Sequence, residues 1–290
     1  MQLTKQQIMD NIDFVSDIHI DSWKHNLGKQ FNIKTFIEDI LSPNNYTLII
    51  AGDISNHNED IFMLLTELKE YYHNIIIVPG NHEMYLIDSD QDKYQRESEN
   101  RLQELKDFCN SNGIYYLDGQ VIDIDGIKIG GTGMFHDYSY GKFFKKKREQ
   151  IIELWYRTLN DWQYIFSGGE DNYQIPMAYS GYVNISNFDP IKKFKSELKK
   201  LDQIQECDIL VTHYPPIMPE KSKYKQVSSS IFYLFDGKKY LKKIKPKYWI
   251  FAHMHQQFEQ KMESTILCSN PLGYYDENPF SRIKKIGDIN

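Results

Sequence analysis

Cysteine is scarce in this chain. Among 290 residues there are three cysteines, Cys109, Cys207 and Cys268, and no two of them form a C-x-x-C pair. Such spacing excludes a zinc knuckle and offers no disulfide framework. We therefore expect three buried thiols in a reducing compartment.

Long apolar runs are missing as well. Residues 1–17 contain no apolar core of the kind that secretory signal peptides carry. No stretch approaches the roughly 18 consecutive apolar residues that a membrane span needs. From these two absences we expect a cytoplasmic protein that does not bind membranes.

The chain also lacks an excess of positive charge. It has 34 Lys and Arg against 40 Asp and Glu, which gives a net charge of -6. A protein that coats nucleic acid through the phosphate backbone is expected to be basic, so nucleic acid remains possible only as a substrate. Two lysine-rich stretches, residues 145–148 and 238–247, could contact a phosphorylated substrate, but solvated surfaces are the simpler interpretation.

Short apolar runs that end in polar or glycine-rich residues are the clearest periodic signal. They are residues 14–16, 47–52, 74–80, 208–212 and 248–252. Runs of this length, bounded by turn residues, are typical of strands buried on both faces. Helical periodicity separates them at 58–72, with Asn58 as the expected N-cap, and roughly at 92–110 and 190–205. This alternation predicts βαβ units.

Other segments predict a second sheet. Residues 121–133 alternate apolar and polar side chains around Asp125-Gly126, a good hairpin turn, and residues 256–262 and 264–269 indicate two further strands. We expect a layered α/β protein with two sheets, in a single domain spanning 1–290. The region at about 145–181 interrupts the pattern, and a cap or lid insertion and an ordinary surface helical pair are equally good interpretations of it.

Polar side chains follow each of the five apolar runs. In chain order they are Asp17 and His19, Asp53, Asn81 and His82, His213, and finally His253 and His255. In open α/β folds ligands bind at the carboxyl ends of strands, so these side chains could converge. Nitrogen and oxygen ligands without thiolates suit manganese, iron, zinc or nickel. If one carboxylate bridges, seven ligands suffice for two ions, divalent or mixed-valence, with positions left for water and substrate.

The individual motifs differ in specificity. A lone D-x-H, or a Gly-Asp after a strand, is more often part of a turn, and His213 alone would more often be a structural histidine. His253 and His255 are stronger, because side chains two apart on a strand share one face. The ordered combination of all the motifs is the specific signal.

The ordered series SDIH, AGD, GNHE, VTH and AHMH resembles the calcineurin-like metallophosphoesterases over residues 17–255. The resemblance implies a four-layer α-β-β-α sandwich of two mixed sheets, with a dinuclear metal site at the strand ends. It also implies a first metal held by Asp17, His19 and His255, a second held by Asn81, His213 and His253, and Asp53 as the bridge. Asp17 could instead orient a histidine ligand.

Two further positions follow from the resemblance. His82 matches the family's histidine that contacts the phosphate and protonates the leaving group. Ala252 stands where the family usually has glycine, so we expect slight local crowding and no lost ligand.

The implied activity is hydrolysis of a phosphomonoester or phosphodiester by a hydroxide that the two metals activate. A nuclease with a basic groove is the competing enzyme, and a scaffold that kept the fold but lost catalysis is the competing non-enzyme. All eight positions are intact, which weighs against the scaffold. The shape of the insertion and loops sets the substrate.

Several residues imitate functional sites. Asp88, Asp90, Asp92 and Glu99 partly match a calcium loop, but Lys93 stands where an EF-hand needs glycine, so a solvated acidic loop is expected. His25, His57 and His136 lie just beyond strand ends and could contact substrate, although ordinary loop histidines are the expectation. Tyr and Trp side chains of the insertion could stack on a flat leaving group or be buried in a local core.

Overall fold

The computed structural model describes residues 3–43, 45–168, 173–177, 181–185, 187–278 and 281–289. Within these ranges the strands are β1 (Ile12–Val15), β2 (Thr47–Ile50), β3 (Asn74–Ile77), β4 (Tyr115–Tyr116), β5 (Val121–Ile124), β6 (Ile127–Thr132), β7 (Tyr173–Met177), β8 (Gly181–Ile185), β9 (Ile209–Thr212), β10 (Tyr248–Ile250), β11 (Phe258–Met262), β12 (Thr265–Ser269) and β13 (Lys284–Lys285).

The helices lie mostly between strands. They are α1 (Lys5–Asp10), α2 (Ile20–Leu27), α3 (Ile33–Thr35), α4 (Asn58–Leu68), α5 (Asp90–Lys93), α6 (Ser98–Ser111), α7 (Arg148–Thr158), α8 (Asp161–Tyr164), α9 (Pro190–Gln203) and α10 (Lys238–Lys243). A π-helical turn, Phe36–Leu41, continues α3, and a 3₁₀ turn, His82–Met84, follows β3. No helix among the described residues is long and apolar enough to cross a membrane.

Two mixed sheets carry the fold. The first has the strand order β13-β1-β2-β3-β4, in which β1 to β4 are parallel and β13 is antiparallel to β1. The second has the order β11-β12-β10-β9-β6-β5, with parallel pairing from β12 to β6 and antiparallel edges. A separate hairpin joins β7 and β8.

The core has three layers of apolar side chains, and successive residues of a strand enter different ones. Ile49 of β2 and Val211 of β9 belong to the cluster between the two sheets. Leu48 and Ile50 face the cluster that holds α2, α4 and α6. Leu210 faces the cluster that holds α7, α9 and α10. This alternation produces a helix, sheet, sheet, helix sandwich, so the expected fold class is confirmed.

Most predicted elements are found close to their expected positions. Each of the five apolar runs overlaps a strand, and the hairpin turns at Asp125 and Gly126, whose φ angles are 53° and 83°. Positive φ at both central residues is the geometry that a tight hairpin needs. The three cysteines are free and buried, as expected.

Two helix predictions were wrong. The helix expected at 92–110 is split into α5 and α6, because Gln95 and Arg96 adopt left-handed backbone, with φ of 55° and 53°. Asn58 is not the N-cap of α4 but its first residue. Its buried side chain instead bonds the Arg101 side chain and carbonyl.

The region at about 145–181 contains α7, α8 and β7 together with the segments that connect them. Residues 169–172 and 178–180 lie outside the described residues. Trp155 and Trp162 are buried against the second sheet's outer cluster, so these two rings form a local core and do not offer a stacking surface.

Candidate metal centre

The predicted side chains all follow the carboxyl ends of central strands. Asp17 and His19 follow β1, Asp53 follows β2, Asn81 and His82 follow β3, His213 follows β9, and His253 and His255 follow β10. Because β1, β2 and β3 are parallel neighbours in one sheet, and β9 and β10 in the other, these loops meet at one edge of the sandwich.

Two groups of donor atoms share Asp53. Ligand atoms of Asp17, His19, Asp53 and His255 all lie within 4.8 Å of one another, and so do those of Asp53, His213 and His253. The Asn81 Oδ1 atom lies 3.2 Å from His213 Nε2 and adds an oxygen to the second group. The division matches the two ligand sets that the family resemblance implies.

The backbone at this edge is strained. Asp17, His19, Asp53, His253 and His255 have φ angles of 49°, 45°, 55°, 69° and 45°. Left-handed backbone is uncommon outside glycine and costs roughly 1–2 kcal/mol per residue, and it concentrates at functional sites. The prediction that His253 and His255 share one face of a strand was wrong. Strand β10 ends at Ile250, and both histidines lie in the loop that follows it, with left-handed backbone.

Glycines before two of the candidate ligands permit close approach of the loops. At Gly52, whose φ is 87°, a Cβ would lie 2.7 Å from both His213 Nδ1 and Gly80 N. At Gly80 a Cβ would overlap the Asp53 carboxylate. Ala252, in contrast, keeps a negative φ, so the left-handed backbone begins only at His253.

Two buried charges fix the loops that carry Asp53 and His82. The Glu83 carboxylate accepts backbone N–H groups from Asp53 at 2.9 Å, Ile54 at 2.7 Å and Gly80 at 2.6 Å. Arg101, fully buried, donates to the carbonyls of Ser55, His82 and Tyr85 and to the Asn58 side chain. Together they join the loops after β2 and β3 to helix α6.

Histidine tautomers at the site favour a cation between the groups. His213 Nδ1 donates to the Ala51 carbonyl at 2.9 Å, so the neutral ring has its lone pair on Nε2. That nitrogen faces three acceptor atoms at 3.2 Å each, namely Asp53 Oδ2, Asn81 Oδ1 and His253 Nδ1. Lone pairs and carboxylate oxygens that converge in this way repel one another unless a proton or a metal cation lies between them. Burial would lower the pKa of His213, but Asp53 raises it to about 9, so a metal bound here would replace a proton.

The first group has the same property. His255 Nδ1 lies 2.6 Å from Glu277 Oε2 and donates to it, which directs the Nε2 lone pair towards His19 Nε2 at 3.0 Å and Asp17 Oδ1 at 3.5 Å. Histidine ligands of metals almost always donate their second N–H to a carboxylate or carbonyl in this manner. The donor set of imidazole nitrogens and carboxylate oxygens fits zinc, manganese, iron or nickel.

The protonation states of His19, His253 and Asp53 suit metal binding. Burial and His82 lower the pKa of His19 well below its usual range, and burial and His213 do the same for the pKa of His253. Burial would raise the pKa of Asp53, but His213 and His82 hold it well below its usual range. Two histidines therefore present lone pairs, and Asp53 is ionised, as metal ligands must be.

His82 lies beside the shared carboxylate. Its Nε2 is 3.9 Å from Asp53 Oδ2, and its backbone N–H donates to Asp53 Oδ1 at 3.0 Å. Its Nδ1 lies 2.7 Å from Asn56 Oδ1, and Asn56 Nδ2 donates to Asp21 Oδ2 at 2.8 Å. Burial lowers the pKa of His82, although Asp53 and Asp21 oppose the effect.

A cleft of about 240 Å³ opens onto the two groups. Its lining residues are Asp53, Asn81, His82, Tyr85, Thr158, Leu159, Asn160, Tyr224, Tyr233, His253, Met254, His255, Tyr274 and Glu277. The four tyrosines and Glu277 were not predicted from the sequence, whereas the α7–α8 loop belongs to the region at about 145–181, for which a cap or lid over the site was one interpretation. Asn56 is three residues after Asp53 and could have been considered, but the others follow no motif.

The remaining candidates do not join the cleft. His25 is exposed, and His57 Nδ1 lies 3.5 Å from Asp90 Oδ2. His136 is fully buried, and neither ring nitrogen has a hydrogen-bond partner among the described residues. Burial lowers the pKa of His136 to about 3.

The acidic and basic stretches are also elsewhere. Glu99 pairs with Lys193, and among the described residues the group of Asp88, Asp90, Asp92 and Glu99 forms no metal-binding cluster. Asp90 is buried, so the expectation of a solvated acidic loop was wrong at that position. The lysine-rich residues 145–148 and 238–247 contribute nothing to the lining of this cleft.

Two packed mixed sheets with a two-part Asp and His cluster at their strand ends define a metal-dependent phosphoesterase. The model of the calcineurin-like phosphoesterase family matches residues 11–257, and the chain belongs to that family. It is therefore a phosphoric ester hydrolase, which confirms the family and the enzyme class predicted from the motifs.

Two relatives share the sequence at low identity. An uncharacterized protein of Acanthamoeba polyphaga mimivirus is 24% identical over 288 residues, which cover 93% of this chain and 95% of that protein. The UPF0046 protein of Caenorhabditis elegans is 22% identical over 76% of this chain, which spans 60% of the length of that relative. Among solved structures, phosphopantetheinyl hydrolase from Mycobacterium tuberculosis has a TM-score of 0.67 at 18% identity, covering 94% of this chain and 95% of the other.

Proposed function

We propose that this protein hydrolyses a phosphomonoester or phosphodiester at two metal ions. Asp17, His19 and His255 would hold the first ion, and Asn81, His213 and His253 the second. Asp53 would bridge them, because it belongs to both groups of converging donor atoms. This shared carboxylate is the observation that carries the proposal.

Bound there, two divalent ions would lower the pKa of a water molecule and neutralise charge on the phosphoryl oxygens. The chain itself supplies orientation. His213 is held by the Ala51 carbonyl and His255 by Glu277, so the rings keep their lone pairs directed at the site. Glu83 and Arg101 hold the backbone of the loops that carry Asp53 and His82.

His82 is the proposed proton donor to the leaving oxygen. Asn56 holds its Nδ1 proton, so Nε2, on the cleft side, is the atom that exchanges a proton with the substrate. Burial lowers the pKa of His82, but Asp53 and Asp21 oppose that effect and favour the protonated ring that a proton donor needs.

The competing functions lack support at the cleft. A nuclease is expected to have a basic groove, but no Lys or Arg is among the described residues that line it. A scaffold is expected to have lost ligands, and the eight positions are present. The phosphopantetheinyl group is one candidate for part of the substrate, since a solved structure of the same fold is that of its hydrolase.

The direct experiment is hydrolysis of chromogenic mono- and diesters by metal-stripped protein, with manganese, zinc, nickel or iron added back. We expect metal-restored turnover in the wild type and its loss in Asp53→Asn, which replaces the bridging carboxylate by an isosteric amide. Turnover that persists without metal, or that Asp53→Asn leaves unchanged, would contradict the proposal.

A further inference from the structure

We infer that the preferred substrate is a phosphodiester whose arms, the two uncharged ester substituents on phosphorus, pack against tyrosine rings. The inference rests on the proposed function and concerns the same cleft. A phosphomonoester carries nearly two negative charges near pH 7, whereas a diester carries one. The charge and the aromatic lining of the cleft walls determine whether a monoester or a diester binds better.

The charge on the walls favours the diester. Proteins that bind a terminal phosphate usually place Arg or Lys on its free oxygens. Beyond the two donor groups, the described lining offers Glu277 as its charged side chain, and no Lys or Arg. The Glu277 carboxylate accepts a hydrogen bond from His255 Nδ1 at 2.6 Å and supplies no positive charge for a second phosphate oxygen. The nearby Lys223 is exposed and does not line the cleft.

The shape of the walls provides for two arms. Tyr224 and Tyr233 form an edge-to-face pair with centroids 5.3 Å apart, and Tyr233 lies 5.5 Å from the His253 ring. On the other side, Tyr274 stacks on His19 at 4.3 Å and Tyr85 lies 4.4 Å from His82. Aromatic surface therefore flanks both donor groups, and flat or apolar ester arms can pack on it.

The test compares bis(p-nitrophenyl) phosphate with p-nitrophenyl phosphate, which share a leaving group, on the manganese-loaded protein. We expect kcat/KM for the diester to exceed that for the monoester by at least about tenfold. An equal or higher value for the monoester would overturn the inference and leave the proposed function standing. Inactivity towards both esters with every metal would contradict the proposed function, and this inference with it.

A charge variant provides the matched control. Asn160 is exposed on the cleft rim, and its side chain makes no capping bond to α8. Asn160→Lys adds the missing cation and should lower the diester-to-monoester ratio by about fivefold, the factor that about 1 kcal/mol of charge attraction gives. Asn110→Lys, which adds the same charge at an exposed position outside the cleft, should leave the ratio unchanged. A ratio that Asn160→Lys does not shift would count against the electrostatic explanation.

A different observation assigns a positioning role to Asp161 of α8. The Asn81 amide nitrogen donates to Asp161 Oδ1 at 3.1 Å and to the Tyr85 hydroxyl at 3.1 Å, and Tyr85 itself donates to Asp161 at 2.7 Å. Both donors of the amide are thus engaged, which leaves Asn81 Oδ1 directed towards His213 Nε2. A rotated amide would place its oxygen against the Asp161 carboxylate.

Asp161 lies close to Asn81 because the α7–α8 segment, residues 148–164, is docked against the outer face of the second sheet. Trp155, Trp162 and Ile165 are buried beneath it, and the Tyr164 carbonyl accepts the Leu86 N–H at 2.7 Å. We infer that docking of this segment orients Asn81 for the second metal. By linkage, a metal bound there must stabilise the docked segment to the same extent.

Asp161→Ala tests this coupling, because it removes the Oδ1 atom that accepts hydrogen bonds from both Asn81 and Tyr85. We expect one of two bound manganese ions per chain to be weakened by about 10–100-fold while the other is retained. Hydrogen exchange of residues 148–164 should slow when manganese is added to the wild type but not to the variant. Tyr85→Phe, which keeps the Asp161 carboxylate, should weaken the ion less. Asp161→Asn, which keeps an oxygen acceptor, and Asn110→Gln, at an exposed position outside the cleft, should behave as wild type. Two ions of wild-type affinity in Asp161→Ala, with wild-type exchange, would refute the coupling.

Discussion

Glu83 lies behind Asp53, and its Oε2 accepts the Asp53 backbone N–H at 2.9 Å. The same carboxylate accepts the N–H groups of Ile54 and Gly80, so one buried side chain holds the turns after β2 and β3. The position of Asp53, the candidate bridging ligand, thus depends on a neighbouring side chain that belongs to neither donor group.

Removing this carboxylate should destabilise the protein. Glu83→Ala would leave three buried N–H groups without acceptors, at a cost of about 3 kcal/mol or more in free energy of unfolding. Urea denaturation measures this value. Glu206→Ala removes an exposed carboxylate, and it should change stability by less than about 0.5 kcal/mol. Equal effects of the two substitutions would show that the Glu83 contacts contribute little.

His136 should be replaceable by an apolar ring. It is fully buried among Phe135, Tyr138 and Phe232, and its ring nitrogens have no hydrogen-bond partner among the described residues. His136→Phe therefore removes two unsatisfied polar atoms, and stability should stay equal or rise by about 1 kcal/mol. Thermal unfolding and turnover check this expectation together. A large fall in turnover without loss of stability would instead support a substrate-contacting role.

Glu197 should make stability depend on acid pH. It is buried, and burial would raise its pKa, but Lys193 and Lys200 lower the pKa from 4.5 to about 2. Because the folded pKa is depressed, the stabilisation is fully present above pH 4.5 and is lost as the pH falls towards 2. Glu197→Gln should lose about 3 kcal/mol at pH 7, and the difference from wild type should shrink below pH 4.5. A difference that stays constant between pH 7 and pH 3 would contradict this origin.

Sequence patterns predicted those parts of the molecule that depend on interactions between residues close together in the chain. The strands, the hairpin at Asp125 and the polar residues after each strand follow from apolar runs, turn chemistry and the meeting of parallel strand ends. The pairing of the two donor groups around Asp53 followed from family resemblance, since spacing alone leaves the partition of ligands open.

The unpredicted parts depend on contacts between distant segments. Asp161 reaches Asn81 across 80 positions, and Glu277 reaches His255 across 22, with no motif to mark either pair. Likewise, the left-handed turn at Gln95 and Arg96 interrupts a sequence with good helical periodicity. Tertiary packing decides these features, and periodicity carries no signal for them.

Metal binding is the central claim, and its measurement is a count of bound manganese per chain after metal-stripped protein is reloaded and freed of excess ion. We expect two ions in the wild type and two in His82→Ala, whose turnover should nevertheless fall by about 10²–10⁴-fold through loss of the proton donor. We expect fewer than two in Asp53→Asn and in His213→Ala. One ion or none in the wild type, or two tightly bound ions in Asp53→Asn, would contradict this claim.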